Sequence, residues 1–216
     1  MGGQDLRNNW VKVLHGGVGD HGCALLLLHS RCRIFESNHL FSCTCPFLTP
    51  SFHVRSGAVH IAVFVTKRLL PYVKNIEKAS VMTGFNGTVA NKGCSAISFT
   101  LGATSFLFCS AHLEAHTHNV AARNEGWKRI ESELCKKLLK CKEKAKATMA
   151  SECFDRVVFM GDLNYRVAEE YQVVCEAIAR KDMGFLLGLD QLKQVPKKAV
   201  LWRWILHDAI LTLGRK

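Results

Sequence analysis

An apolar run of β-strand character, residues 157–160, ends abruptly at Gly161 and is followed by polar residues at alternate positions, Asp162, Asn164 and Arg166. A buried strand carries its last residues to the rim of a sheet, which is where open α/β folds bind their ligands. If the chain stays extended past Gly161, alternation places the three polar side chains on one side of the backbone. This segment therefore predicts an α/β fold with a polar cleft at the end of a strand.

The three side chains of this predicted cleft suit a phosphate ester. Asp162 can accept a proton from water, Asn164 can hold a reacting oxygen, and Arg166 can pair with phosphate through a bidentate fork. A surface turn with ordinary polar residues explains a bare Gly-Asp-x-Asn equally well. The neighbouring motifs therefore decide between the two interpretations.

Three further segments accompany this motif in order along the chain. They are Thr-Gly-Phe-Asn-Gly-Thr-Val-Ala-Asn-Lys-Gly at 83–93, Ser-Ala-His-Leu-Glu-Ala-His at 110–116, and Arg123-Asn124. Together with Gly-Asp-Leu-Asn-Tyr-Arg at 161–166 they closely resemble the inositol polyphosphate 5-phosphatases. That family is one branch of the magnesium-dependent endonuclease/exonuclease/phosphatase superfamily. The resemblance implies an α/β fold, a four-layer α/β sandwich of the endonuclease/exonuclease/phosphatase type.

The resemblance implies roles for the positions that match the family's motifs. Asp162 matches the general base that activates water, Asn164 its partner in orienting that water or the scissile phosphate, and His112 the site histidine. Lys92 matches the lysine that reads a neighbouring ring phosphate on the inositol. The implied cofactor is Mg²⁺, which would polarise the phosphoryl oxygens. The implied substrate-binding positions are Asn91, Lys92, Arg123, Asn124 and Arg166.

Two parts of the family pattern have no counterpart in this sequence. The family's magnesium-binding glutamate lies in a Gln-Glu segment, and Glu36, the single glutamate of residues 1–51, stands in a different context. The family's later Trp-Cys-Asp-Arg and Ser-Asp-His segments are not matched by Trp202-Arg203-Trp204. We therefore expect an incomplete catalytic domain and assign no metal ligand. Its predicted bounds are 52–198, between an unassigned segment at 1–51 and a divergent tail at 199–216.

The charge and the cysteine content indicate which partners and which cellular compartment suit the chain. A net charge of +11 favours polyanionic partners, and charge alone does not separate inositol phosphates and anionic membrane surfaces from nucleic acid. No charged segment with a cleavage site opens the sequence, so the ten cysteines predict reduced thiols in a cytoplasmic protein. The longest apolar run, residues 24–28, falls far short of the roughly 20 residues that a membrane-spanning helix needs. These features predict peripheral contact with anionic membranes at most.

Hydrophobic periodicity predicts the elements around the motifs. Apolar runs predict strands at 59–65, covered on both faces, and at 105–110. A glycine-rich loop at 84–93 either places Lys92 over a phosphate or is a plain hairpin turn. An apolar stripe with a three- and four-residue step predicts a helix at 127–149, and we expect its lysine-rich end to become a loop that leads into the strand at 157. Two further helices are predicted at 169–180 and 183–192.

Two clusters of residues receive ordinary interpretations. The lysines between 136 and 146 favour a solvated helical face over a dedicated lipid-binding patch. Cys32, Cys43 and Cys45 have irregular spacings, which favours an irregular N-terminal segment over a zinc site.

The sequence thus predicts hydrolysis of the 5-phosphate from phosphoinositide lipids or soluble inositol polyphosphates. Two alternatives stay open. A nuclease of the same superfamily would share Gly-Asp-x-Asn, although Asn91-Lys92-Gly93 and Tyr165-Arg166 make nucleic acid the less favoured substrate. A catalytically incomplete fragment that binds phosphoinositides would explain the missing motifs.

Overall fold

The structure of the protein is a computed structural model. It describes the backbone of residues 12–15, 23–27, 34–37, 40–43, 48–56, 59–84 and 89–195. Side chains are described for residues 52–56, 59–65, 67–84 and 92–195. The predicted tail at 199–216 lies outside the described residues. The side chains of Cys32, Cys43 and Cys45 also lie outside them.

The first third of the chain contributes one sheet and a separate hairpin. Its strands are β1 (Lys12–His15), β2 (Cys23–Leu27), β3 (Ile34–Ser37), β4 (Leu40–Cys43), β5 (Leu48–Ser56) and β6 (Val59–Thr66). The sheet has the order β1-β2-β6-β5, while β3 pairs with β4. In β6, residues 61–65 are all buried, so both faces of this strand are covered, as its apolar run predicts.

A second four-stranded sheet carries the predicted motifs. Its strands are β7 (Val73–Gly84), β8 (Val89–Leu101), β9 (Thr104–His112) and β10 (Arg156–Asp162), in the order β10-β9-β8-β7. The β7–β8 and β8–β9 pairs are antiparallel, and β9 and β10 run parallel. The predicted strands at 105–110 and 157–160 are confirmed. The glycine-rich segment joins β7 to β8 in a hairpin, whose loop at 85–88 lies outside the described residues.

The two sheets pack face to face, and a helix covers the far side of the second sheet. Ile61 and Val63 of β6 meet Phe108 and Met160 in one apolar cluster. Helix α1 (Val120–Lys137) packs its own apolar side chains on the opposite face, where Trp127 lies edge-on to Phe159, with ring centroids 3.7 Å apart. Each such large buried side chain stabilises the fold by roughly 1.5–3 kcal/mol. Three layers are therefore seen in the described part of the chain, and the predicted α/β class is confirmed.

The helical segments differ from the prediction at their boundaries. The stripe of Trp127, Ile130, Leu134, Leu138 and Cys141 is buried throughout, as predicted. The bounds predicted for the helix at 127–149 are nevertheless wrong, because α1 begins earlier and Leu138 is extended (ψ 129°) before the short α2 (Leu139–Lys142). The loop predicted at the lysine-rich end is confirmed, since the chain is not helical at 143–149. Leu138 keeps its place in the core, so the apolar pattern continues across a break in the helix.

Three short helices follow β10. They are α3 (Tyr171–Ala179), α4 (Met183–Gly188) and α5 (Gln191–Gln194). The carboxylate of Asp182 accepts a hydrogen bond from the Phe185 amide, and that of Asp190 from the Leu192 amide, so each caps a helix. Asp190 therefore ends the single helix that was predicted over 183–192. Among the described residues, no helix has the length and apolar character that crossing a bilayer requires.

Candidate active site

The candidate site lies where β9 and β10 end, beside the first half of β8. His112 lies opposite Asp162 in the parallel pair of β9 and β10, and opposite Gly93 in the antiparallel pair of β8 and β9. Lys92 directly precedes Gly93 and so lies at the same edge. The pairing register of the sheet therefore brings Lys92, His112 and Asp162 together, although they are far apart in sequence.

The imidazole of His112 lies between a cation and a carboxylate. Its Nε2 is 2.6 Å from Lys92 Nζ and 3.5 Å from Asp162 Oδ2. The His112 side chain is 12% exposed and that of Asp162 is 46% exposed, so the cluster opens to solvent on the carboxylate side. Burial lowers the pKa of the Lys92 ammonium, while the nearby carboxylates of Asp162 and Glu114 oppose this shift. The cluster thus joins a partly desolvated cation to an accessible base.

Two glycines allow the strands to approach one another at this edge. Gly161 has φ +111°, and a Cβ there would overlap the Ala111 carbonyl oxygen and lie 2.8 Å from the Ala111 nitrogen. Gly93 has φ +145°, and a Cβ there would overlap the Val81 carbonyl oxygen. A side chain at either position would push apart the strands that bear the site, so the glycines are required by close backbone approach.

The chain after β10 turns sharply instead of staying extended. Asn164 has φ +56°, so the alternation that was predicted to align the three polar side chains is wrong. The turn places them together by hydrogen bonds. The Asn164 amide nitrogen of the backbone donates to Asp162 Oδ1 (3.2 Å), and Arg166 Nη2 donates to Asn164 Oδ1 (2.5 Å).

Asn164 is held from a third side as well. It is 7% exposed, and its Nδ2 donates to the Leu113 carbonyl at 3.0 Å. These contacts fix Asp162 and the exposed Arg166 relative to each other. The arrangement gives Asn164 a positioning role, with its side-chain oxygen already accepting from Arg166.

Arg123 lies beneath the site and not in the cleft. It is fully buried on α1, and its guanidinium donates to the carbonyls of Glu114 (3.0 Å), His116 (2.7 Å) and Thr117 (3.2 Å). Its Nη2 also donates to Gln191 Oε1 at 2.7 Å. Arg123 therefore shapes the loop that follows His112, and the structure does not bring it to the solvent-open side of the cluster.

Gln191 links the loop after β9 to the loop after β10. Its Oε1 accepts from Arg123 and from the Arg166 amide (3.0 Å), and its Nε2 donates to the Thr117 carbonyl (2.9 Å). This residue is 4% exposed. Gln191 was not identified from the sequence, because a glutamine at a helix start carries no local indication of such contacts.

Two further predicted site residues, Asn124 and Asn91, have no described contact with the Lys92–His112–Asp162 cluster. Asn124 Oδ1 accepts a hydrogen bond from the hydroxyl of Tyr165 at 2.6 Å, which fixes the residue between Asn164 and Arg166. Burial raises the pKa of Tyr165 to about 12, with nearby Arg123 opposing the shift. Asn91 belongs to β8, and its side chain lies outside the described residues.

The described side chains do not form a complete magnesium site. Magnesium takes oxygen ligands in an octahedral arrangement. Among the described residues, the single group of three metal-ligating side chains is a set of cysteines elsewhere in the fold. Asp162 is the carboxylate at the cluster, it faces a histidine and a lysine, and Asn164 Oδ1 is engaged by Arg166.

Known proteins match this chain over most of its length. The sequence model of the endonuclease/exonuclease/phosphatase family 2 matches residues 53–211. Synaptojanin-2 from Homo sapiens is 34% identical over 158 residues, which are 72% of this chain and 10% of that protein. Type I inositol polyphosphate 5-phosphatase 5 from Arabidopsis thaliana is 33% identical over 140 residues, which are 61% of this chain and 25% of that protein.

A solved structure resembles the fold. The crystal structure of the inositol polyphosphate 5-phosphatase domain of SPSynaptojanin, in complex with inositol (1,4)-bisphosphate and calcium ion, superposes with a TM-score of 0.57 at 27% identity. The superposition covers 68% of this chain and 40% of that one. The chain therefore spans less than half of that domain and a quarter or less of the two curated relatives.

Proposed function

Because the chain belongs to the endonuclease/exonuclease/phosphatase family 2, we propose that it is a phosphoric monoester hydrolase of the 5-phosphatase kind. Its substrates would be phosphoinositide lipids or soluble inositol polyphosphates. The observation that carries this proposal is the Lys92–His112–Asp162 cluster at the open edge of the second sheet.

The cluster offers separate groups for the two tasks of the reaction. Asp162 is accessible and can take a proton from an attacking water, with the proton ending on its carboxylate. Lys92 and Arg166 bring positive charge to the same edge of the sheet, where an anionic phosphate group gains most from donors that are already in place. His112 Nε2 faces the Lys92 ammonium as an acceptor, and it can donate to a phosphoryl oxygen after the substrate displaces that contact when the imidazole carries its proton on Nε2.

Residues behind the cluster keep it in register. Asn164 holds Asp162 and Arg166 together, and Gln191 fixes the backbone of Arg166 through its amide. We propose these two as positioning residues, since the contacts shown for them are with protein groups. Their replacement would weaken turnover by displacing Arg166 and Asp162.

The same proposal includes the metal cofactor, the contact with membranes and the cellular location of the protein. Magnesium is proposed as the divalent cation, on the resemblance to the 5-phosphatases and on the calcium ion in the related domain. The net charge of +11 supports peripheral contact with anionic membranes, where each basic residue near the surface contributes about 1 kcal/mol. Cytoplasmic location and the domain bounds 52–198 stay predictions.

The test is phosphate release from phosphatidylinositol 4,5-bisphosphate vesicles and from soluble inositol 1,4,5-trisphosphate, with magnesium and with a chelator. We expect release that Asp162→Asn abolishes and that Lys92→Met weakens. The matched controls are Asp182→Asn, at the cap of α4, and Lys128→Met, on the exposed side of α1. Each control makes the same change in charge as the corresponding site variant, but at a position away from the cluster.

Three other outcomes would point elsewhere. Substrate binding without release, in folded protein, would favour a phosphoinositide-binding fragment. Magnesium-dependent nicking of plasmid DNA that Asp162→Asn abolishes would favour a nuclease. Release that persists in the Asp162→Asn variant would overturn the assignment of the base.

A further inference from the structure

Three cysteines outside the candidate active site meet in the core. Cys135 lies in the last turns of α1, Cys141 in α2, and Cys153 directly after the helical turn Ala150–Glu152. Their sulfur atoms all lie within 4.8 Å of one another, and the residues are 8%, 3% and 0% exposed. Neither the strand-end cluster nor the proposed hydrolysis uses them. Three convergent thiols in one buried place form a donor set of their own.

The separations between the sulfurs suit a tetrahedral metal ion. With zinc–sulfur bonds of roughly 2.3 Å, the sulfurs of a tetrahedral site lie about 3.8 Å apart. The three side chains would have to close by about 1 Å at most to reach that spacing. Thiolates prefer soft or borderline ions such as zinc, so this site would not compete for magnesium.

Hydrogen bonds to neighbouring protein groups hold the cluster together in the metal-free chain. The buried carboxylate of Glu131, on α1, accepts from the Ser151 amide at 2.9 Å and so ties the turn before Cys153 to the helix that bears Cys135. The Cys135 thiol donates to the Ala147 carbonyl (3.4 Å), and the Cys153 thiol donates to the Met149 carbonyl (3.5 Å). The Glu131–Ser151 contact is unaffected by metal binding, whereas the two thiol–carbonyl hydrogen bonds are given up when the thiol protons leave.

The lysine-rich segment offsets the charge of such a site. Zinc bound by three thiolates carries a net charge of −1, because three protons leave to solvent when Zn²⁺ enters. The segment between Cys135 and Cys153 contains six lysines, and Lys144 Nζ donates to the Glu152 carbonyl at 3.0 Å, next to Cys153. A cationic surface over a buried anionic centre lowers the cost of removing that centre from water.

We propose that Cys135, Cys141 and Cys153 bind one zinc ion, which fixes the segment after the break at Leu138 against α1. The fourth ligand is water or one of the two carbonyl oxygens beside the thiols. The site is structural: it joins the end of α1, α2 and the turn that leads into β10. Its existence does not depend on the proposed hydrolase activity.

The experiment is a cobalt(II) titration of the reduced, metal-free full chain, followed by competition with zinc. We expect a thiolate-to-cobalt charge-transfer band that saturates at one ion per chain and disappears when zinc is added. Replacing any one of the three cysteines by serine should weaken binding by more than the roughly 10–100-fold lost when an outer-shell partner is removed. Cys175→Ser is the matched control, because Cys175 is an exposed free cysteine on α3.

Further measurements distinguish loss of metal binding from loss of folding, and binding by these three cysteines from binding by the others. Circular dichroism verifies that each variant is folded without metal. A variant with serine at positions 23, 32, 43 and 45 should keep the band. In the unaltered chain, zinc should protect Cys135, Cys141 and Cys153 from alkylation, as mapped by peptide mass spectrometry, while Cys175 still reacts.

The proposal is overturned by either of two results. One is a folded, reduced chain that shows no charge-transfer band and no zinc-dependent protection of these cysteines. The other is a band that persists in folded Cys141→Ser, or that depends on the N-terminal cysteines. In both cases the three thiols would be ordinary core side chains.

Discussion

Replacing Gly161 with alanine tests whether close contact between β9 and β10 holds the candidate site together. The added methyl would overlap the Ala111 carbonyl oxygen and lie 2.8 Å from the Ala111 nitrogen, so the two strands must move apart. The backbone itself, at φ +111°, lies in a region that side chains other than glycine rarely adopt. Strain of this kind costs about 1–3 kcal/mol, and displacement of a buried strand brings the expected loss to about 3–5 kcal/mol.

Two other glycines provide controls for the size of this effect. Gly102 also has positive φ (+61°), but an added Cβ meets no atom within 4 Å, so Gly102→Ala should cost only about 1–2 kcal/mol. Gly126 lies in α1, where an added Cβ would make ordinary contact with Leu113 at 3.9 Å. Gly126→Ala should therefore stabilise the fold by up to about 1 kcal/mol through helix propensity.

Urea unfolding followed by circular dichroism measures all three variants against the unaltered chain. For a chain of this size, the expected loss in Gly161→Ala corresponds to a melting temperature lower by roughly 6–20 °C. The same variant should lose phosphate release more than its stability loss explains, because the strand carries Asp162 away from His112. If Gly161→Ala proves no more destabilising than Gly102→Ala, the argument from close strand approach is refuted.

Three further predictions follow from the contacts behind the site. Gln191→Leu should destabilise the fold by about 2–4 kcal/mol in urea unfolding, since buried Arg123 loses an acceptor, whereas Gln194→Leu, on the exposed side of α5, should change it by less than about 0.5 kcal/mol. Spectrophotometric titration should show one tyrosine that ionises near pH 12, and this transition should be absent in Tyr165→Phe. Because the pKa of Tyr165 is higher in the folded than in the unfolded chain, its contribution to the free energy of unfolding is present below about pH 10 and is lost as pH rises through about 12. Binding of inositol 1,4,5-trisphosphate, measured by calorimetry, should weaken as pH rises through the lowered pKa of Lys92, and Lys92→Arg should remove that alkaline decline.

The ends of these strands could be predicted from local sequence, because the chain changes there from buried apolar residues to polar residues within one or two positions. The apolar run at 157–160 followed by Gly161 and Asp162 predicted β10, and the run at 105–110 predicted β9. Both predictions required only that a buried strand stop at a sheet rim. The family resemblance assigned His112 and Asp162 to one site, but the parallel register that brings them together was not predicted from the sequence.

The positions of the supporting residues were not legible in this way. Arg123 was predicted to bind substrate, and the structure surrounds it with backbone carbonyls and Gln191. A buried guanidinium and an exposed one look alike in sequence, because the partners that satisfy Arg123 come from loops far along the chain. The same reason hid the break at Leu138, where the apolar stripe continues although the helix does not.

What the sequence by itself determined is the class of the fold, the strands that carry the site and the chemical character of the strand-end residues, since these depend on local hydrophobicity and on residue type. Tertiary structure alone decided which polar groups are buried, how Asn164 turns, and that Cys135, Cys141 and Cys153 converge. Those features are distances between residues remote in the chain. Such distances are set by packing of the helix and turns against the sheet, which no local pattern records.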